Sequence, residues 1–342
     1  MAAEGNASTT QSTAAEGAAA QAPPTNGAPA AAATASQTTP AAATAQAGAP
    51  AQSQPQPQPQ APPTAAGGQS ALEELVLAAT GRKDRPKPWV DVTTYPWTED
   101  EFSARFVRRA NYQELYGMKE TGEEVDELIA LLNIRPKMRV LDVCSGNGRH
   151  AIALALRGCK MTGIDNGPGP VNLARETSRN LGLAVDYRQV DALSISFEDA
   201  YDAAYLTCAG LSDFSPSAAK DLLTRIGRAL VPGGMFVAEF LDEASVKPSD
   251  VRTWRFVSAD ASLFVDGGHL QLDERLYDSD AKSEVVRSYI VPSNGKMRQF
   301  ARCRQYHKED EVKALLAAAS LQTVGFHAGS APGLKKVVGK KG

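Results

Sequence analysis

The sequence predicts an α/β protein: a doubly wound parallel sheet with a small antiparallel β insertion and a disordered N-terminal tail. Three observations predict it. From Arg139 to about Phe240 short apolar segments alternate with helical ones, the pattern of strands joined by crossover helices. Past Glu239 the rhythm changes to a period near two, in segments separated by short turns. Residues 1–70 are almost wholly Ala, Gln, Pro, Thr, Ser and Gly. Such a segment buries too little apolar surface to offset its chain entropy.

The tail holds Glu4 and Glu16 as its only charges and no aromatic residue. A secretory signal needs a basic start and an apolar core, and a mitochondrial presequence needs arginines, whereas the first basic residue is Arg82. The tail therefore reads as solvated chain. A helical pre-domain cap over 71–135 follows. In it, "ALEELVLAATG" forms a short helix and "PWVDVTTYPWTEDEFSARFVRRANYQELYG" concentrates Trp, Tyr and Phe among charges. "GEEVDELIALLNIRP" puts Val125, Leu128, Ile129 and Leu132 on one helical face and stops at Pro136.

The main domain, 136–342, then begins. Strands are expected at 139–143, 160–165, 184–189, 202–207 and 235–240, and helices near 148–157, 169–181 and 217–230, with "VPGG" as the break after the last. "LQLDERLYD", "EVVRSYIVP" and "MRQFARCRQYH" supply the antiparallel insertion, about 250–306. A helix at 309–319 and two closing strands complete the chain.

Composition excludes several classes. Formal net charge is -3, so no global basic field invites DNA. No apolar run approaches the ~18 residues of a membrane span. Cys144, Cys159, Cys208 and Cys303 are scattered without a C-x-x-C pair, which suits reduced thiols in a cytoplasm better than disulfides or a metal site. The closing "KKVVGKKG" reads as a solvated end. Nothing in the pattern indicates an oligomeric state.

The chemistry is concentrated in "RVLDVCSGNGRHAIALALRG", Arg139 to Gly158. Gly146, Gly148 and Ala151 satisfy the dinucleotide pattern G-x-G-x-x-[GA], and Asp165 ends the second strand where a dinucleotide enzyme uses an acid on a ribose. Asp142 argues against that ligand. A pyrophosphate binds where backbone N–H groups and a helix dipole present positive potential, and a carboxylate at the mouth of the loop repels it. S-adenosylmethionine (SAM) has no phosphate and carries an ammonium and a sulfonium. The residues thus favour a nucleoside cation, with a nicotinamide dinucleotide as the rival.

In order and at ordinary spacing, "VLDVCSGNGRH", "TGIDNGPGPVNLARE", "VDAL", "YDAAYLTCAGLSDF" and "LVPGGMFVAEF" resemble the motifs of the class I SAM-dependent methyltransferases, over about 139–240. The flanks "WTEDEF" and "RQYHKEDEVKALL" are similar to a bacterial subgroup acting on small molecules. The resemblance implies a Rossmann-like sheet, SAM as cofactor, and methyl transfer to N or O of a small-molecule acceptor. Methylation of RNA or protein and non-catalytic SAM binding stand as alternatives. The cofactor residues it implies are Asp142, Cys144, Gly146 and Gly148 in the first loop, Asp165 and Asn166 at the ribose, Asp191 and Ala192 at the adenine, and Thr207 after the fourth strand.

The first motif, D-x-G-x-G-x-G, has Cys144 in place of its first glycine. Cysteine fits there with a negative φ, which is the expectation. The "TCAG" after the fourth strand lacks the [DN]-P-P-[YF] of amine-of-adenine methylators, no Cys follows a Pro as cytosine-C5 enzymes need, and 206–216 lacks the glutamates of arginine methylators. A small-molecule acceptor remains. Candidates for catalysis are His150, Asp213 and Tyr112, each with a structural rival, and no base is singled out. Tyr112, Tyr116 and Arg304 are candidates for substrate binding, because the roof over the acceptor must come from outside the strand–helix repeat. Alternation puts Arg302, Arg304 and Tyr306 on one strand face, suited to an anionic acceptor or to solvent.

Overall fold

Five parallel strands carry the architecture: β1 (Arg139–Val143), β2 (Lys160–Asp165), β3 (Asp186–Gln189), β4 (Tyr201–Leu206) and β5 (Leu230–Asp242). They lie in the order β3-β2-β1-β4-β5. β11 (Leu334–Lys341) pairs antiparallel with β5, and β10 (Leu321–Ala328) with β11. The computed structural model describes residues 85–92, 95–109, 120–245 and 249–342. The expected tail, the helix at 71–81, Tyr112 and Tyr116 lie outside the described residues.

Strand β1, RVLDV, is buried along its last four residues because both faces of the sheet are covered by helices. On one face α5 (Pro216–Ala229) and α6 (Glu309–Ala318) bring Leu222, Leu223, Ile226, Val312 and Leu316 onto Leu141, Ala204 and Phe236. On the other, α2 (Thr121–Leu132), α3 (Arg149–Leu156) and α4 (Pro168–Asn180) bring Val125, Leu128, Leu132, Leu154 and Val171 onto Val140, Ala203, Tyr205 and Val237. Each buried Leu or Ile contributes roughly 1.5–3 kcal/mol of transfer free energy. Helix starts follow their sequence signals: Ser215 caps α5 by accepting from the Ala218 amide, with Pro216 in the first turn.

Three departures from the sequence expectation have physical causes. "KKVVGKKG" is not a solvated end: it lies in β11 against β5, because Val337 and Val338 fill the core and buried Lys336 is paired with Glu127. "VPGG" does not break the chain; β5 runs through it from Leu230 to Asp242, and the pairing with β4 slips between Tyr201 and Ala203. Proline has no N–H for the ladder and Gly233 adopts φ 78, so the irregularity is absorbed as a bulge. A further strand, β6 (Val251–Val257), precedes the three expected in the insertion. Its apolar Trp254 and Phe256 are exposed, so its sequence shows no in–out alternation to read.

The insertion is an antiparallel meander, β6 with β7 (His269–Asp278), β8 (Ser283–Pro292) and β9 (Arg298–His307). Strand β5 outruns β4, whose pairing ends at Leu206 opposite Ala238. Beyond that point Leu241 and Asp242 pair with Tyr306 and His307 of β9. The meander is thus grafted onto the carboxyl end of the parallel sheet, where ligands of doubly wound folds bind.

Helix α1 (Asp100–Arg109) closes the same end. Ser103 Oγ accepts from the Gly169 amide at the start of α4, and a Cβ at Gly169 would come within 2.3 Å of the Ala104 nitrogen. Tyr95 and Phe102 pack on Phe264, Ile290 and Phe300, with Phe102 stacked on Phe300 at 5.3 Å.

Candidate active site

The β1–α3 turn is a run of left-handed residues. Cys144 has φ 57, Gly146 φ 53 and Gly148 φ 75. The negative φ expected for Cys144 is therefore corrected: cysteine stands in the glycine conformation, at a cost of roughly 1–2 kcal/mol. The turn imposes it, because the Ser145 amide must donate back to the Ile164 carbonyl at 2.8 Å. Gly148 has no substitute, since a Cβ there would sit 2.2 Å from the Tyr187 hydroxyl. Gly146 differs: nothing lies within 4 Å of where its Cβ would be, so that wall of the turn is open.

Asp165 clasps the turn. Its Oδ2 accepts from the Gly146 amide at 2.9 Å and its Oδ1 from the Gly167 amide at 2.8 Å. A carboxylate has about four acceptor sites, so two remain for a ribose diol. Burial raises its pKa, opposed by those two amides. Asn166 beside it is exposed. Asp191 caps the turn Ala192–Ser194 by accepting from the Leu193 amide at 2.8 Å; Asp191 is exposed and Ala192 buried.

Asp142 sits at the floor. It is 3% exposed, and its Oδ2 is buried without a hydrogen-bond partner. Desolvation pushes its carboxyl up to about 7, against the Tyr205 hydroxyl on the paired strand and the Arg149 charge. A buried carboxylate oxygen without a partner costs free energy unless a cation or donor reaches it. The residues fit SAM on this point: an ammonium beside the loop supplies what Asp142 lacks, and a phosphate would not.

Below the turn lies a network that holds it. Glu124 on α2 forms an ion pair with Arg149 and accepts from His150 Nε2 at 2.7 Å. Arg149 also donates to Thr121 Oγ1 at 3.0 Å and to Cys208 Sγ at 3.6 Å. With Nε2 donating to a carboxylate, His150 Nδ1 is left to accept from the Thr207 hydroxyl at 3.4 Å. Burial lowers the His150 pKa, so the ring is a neutral strut with both nitrogens engaged. The Glu124 carboxyl is pushed up by burial, but His150 and Arg149 outweigh this and hold it below its usual value. Thr207 therefore turns its hydroxyl toward His150. At the next residues Cys208 and Ala209 are left-handed, φ 60 and 59. Fully buried Glu239 of β5 fixes them, accepting from the Ala209 amide at 2.9 Å and from the Ser330 amide at 2.6 Å.

The roof comes from β9. Arg302, Arg304 and Tyr306 share the face that looks onto Asp213 and Tyr95, as the alternation predicts. Arg304 Nε lies 3.7 Å from Asp213 Oδ1, and its Nη1 lies 3.9 Å from Glu284 Oε1. Glu284 accepts from the Tyr306 hydroxyl at 2.8 Å. Arg302 stands 5.8 Å over the Tyr95 ring. Arg304 is thus matched by carboxylates rather than presented to an anion.

Sequence reasoning missed Glu124, Glu239 and Glu284. The first two had a signal: Glu124 stands one helical turn before buried Leu128, and Glu239 interrupts the apolar run of β5. Glu284 had none, because its role depends on a partner across the β8–β9 ladder.

Residues 140–234 match the family model of a methyltransferase domain. That segment is a methyltransferase domain. A ubiquinone biosynthesis O-methyltransferase from Stutzerimonas stutzeri is 32% identical over 110 residues, 32% of this chain and 45% of that protein. The chain spans less than half the length of the curated relatives it matches. Two solved structures share the methyltransferase fold. An S-adenosylmethionine-dependent methyltransferase from Clostridium acetobutylicum has TM-score 0.54 at 13% identity, covering 68% of this chain and 96% of its own. A sugar N-methyltransferase from a Streptoalloteichus species has TM-score 0.53 at 14% identity, covering 76% and 98%. No helix among the described residues is long and apolar enough to cross a membrane.

Proposed function

We propose that this chain transfers the methyl group of SAM to a nitrogen or oxygen of a small-molecule acceptor. The observation that carries the reading is the buried, unpartnered Oδ2 of Asp142 beside an open glycine turn already clasped by Asp165. Asp142 would hold the ammonium, the open side of Gly146 would admit the methionine portion, Asp165 would take the ribose hydroxyls, and Asp191 with Ala192 would border the adenine. When bound, SAM supplies an activated methyl on a sulfonium. The protein then has to orient the acceptor in line and exclude water.

In this reading the acceptor would lie between the turn Gly210–Asp213 after β4, the β9 face and the segment Tyr95–Phe102. Arg302 and Arg304 stand among Asp213 and Glu284, so this wall is mixed in charge and suits a polar acceptor carrying nitrogen or oxygen rather than a simple anion. The ubiquinone-pathway and sugar enzymes named above act on molecules of that kind, which supports the reading. The free Cys144, Cys159, Cys208 and Cys303 suit a reducing cytoplasm. Calorimetry with SAM, followed by a screen for labelled methyl incorporation from SAM into a bacterial metabolite extract, tests the proposal. SAM binding with label appearing in a small molecule is expected. Label in bulk RNA or protein instead would overturn the acceptor class.

A further inference from the structure

We propose that Asp213 takes the proton from the acceptor's nucleophile, and that Arg304 is the positioning residue that holds it there. The proposal rests on the methyl-transfer reading above.

Asp213 ends the turn that follows β4, at the same end of the sheet as the β1 loop, and its charge reaches Cys144 of that loop. Its side chain is 47% exposed and, among the described residues, accepts no hydrogen bond; its ion pair with Arg304 Nε, at 3.7 Å, is longer than a hydrogen bond. The carboxylate lone pairs are therefore open to an incoming donor. Arg304 is the opposite case. Its side chain is 14% exposed and its Nε is buried without a hydrogen bond. Behind it Glu284 is anchored by the Tyr306 hydroxyl. Arg304 is packed between Asp213 and Glu284, whose other oxygen faces Arg275 at 3.5 Å, and this packing holds its guanidinium against Asp213.

The groups facing Asp213 are Cys144 from the β1 loop, Arg302 and Arg304 from β9, and Glu284 from β8. Burial raises the Asp213 pKa, and the two guanidiniums oppose that rise. The net direction is upward, toward a more basic carboxylate, the sense that suits a general base. The acceptor's lone pair forms the new N–C or O–C bond as the carbon–sulfur electron pair returns to sulfur. The N–H or O–H proton passes to an Asp213 oxygen and from there to water, which restores the carboxylate.

The test uses the full chain in three measurements. S-adenosylhomocysteine affinity is measured by calorimetry for the wild type, Asp213→Asn, Asp213→Glu and Arg304→Gln. The Asp213 carboxyl is titrated by carbon-13 NMR in the S-adenosylhomocysteine complex and assigned through Asp213→Asn. Label transfer from SAM into the metabolite extract is followed against pH. We expect Asp213→Asn to keep its affinity within about twofold and to lose transfer by about a hundredfold or more, with Asp213→Glu recovering part of it. Arg304→Gln should move the carboxyl titration and the acid limb of the transfer profile upward together. Transfer by Asp213→Asn at the wild-type rate, loss of its S-adenosylhomocysteine binding by more than about tenfold, or an Asp213 titration unmoved by Arg304→Gln would each overturn the proposal while leaving methyl transfer in place. A wild type that labels nothing removes the methyl-transfer reading, and this proposal with it.

Discussion

The two walls of the site are built by different means. On the proposed cofactor side, the β1 turn and Asp165 are joined by main-chain amides and a carboxylate close in sequence, and the geometry depends on three left-handed residues. On the proposed acceptor side, Asp213 comes from the turn after β4, and Glu284, Arg304 and Tyr306 come from β8 and β9 and meet through strand register. The first wall is a local backbone structure with little freedom to vary. The second is a set of side chains on a scaffold, and its chemistry can change without the scaffold changing.

Mutations test this contrast. The largest effect is expected at Gly148→Ala, where a Cβ meets the Tyr187 hydroxyl and φ is 75. Left-handed strain and overpacking together should cost about 2–4 kcal/mol, visible as a lower denaturation midpoint. An unchanged midpoint would mean the turn is more plastic than the comparison holds.

Asp142 should trade stability against binding. Its folded-state carboxyl, at about 7, lies above the unfolded value of about 3.9. The folded state therefore holds the proton more tightly. In the free protein, stability from this group is greatest below about pH 4, falls as pH rises, and levels above about pH 7. Asp142→Asn should stabilise the free protein at pH 8, by at most roughly 4 kcal/mol, while weakening SAM binding. Affinity of the wild type for SAM should rise through about pH 7, as the carboxylate forms. A variant that binds SAM as tightly as the wild type would take Asp142 out of the ligand site.

Asp165→Ala removes acceptors for two amides and, in the proposed role, for two ribose hydroxyls. SAM affinity should drop at least about tenfold, corresponding to roughly 1.5–3 kcal/mol, in calorimetry. The smallest change is Cys144→Gly, which relieves a left-handed cysteine and should stabilise the protein by about 1 kcal/mol with SAM binding retained. Loss of binding in this variant would show that the side chain itself contacts the cofactor.

The same contrast explains what was legible in the sequence. Strands β1 and β2 and helices α3 to α6 were readable to within a residue or so because apolar runs, glycines and prolines mark them locally. The placement of Asp142 and Asp165 at the carboxyl ends of β1 and β2 was readable because the apolar runs end there. The conformation of Cys144 was not, since φ is imposed by the Ser145–Ile164 hydrogen bond rather than by the residue. Neither was the neutralisation of Arg304, which requires knowing that Glu284 stands opposite it across the ladder.

The graft point of the meander has a topological consequence. The chain leaves the parallel sheet at Asp242 and returns at His307, and these two residues are partners in one β pair. The whole excursion is a closed loop whose ends already touch. The entropy of closing such a loop grows only slowly with its length, so segments can be added or removed between β6 and β9 at small cost to the core. Strands β1 to β5 never register the change. A lineage carrying this fold can therefore rewrite the roof over its acceptor, strand by strand, while the cofactor turn below is inherited intact.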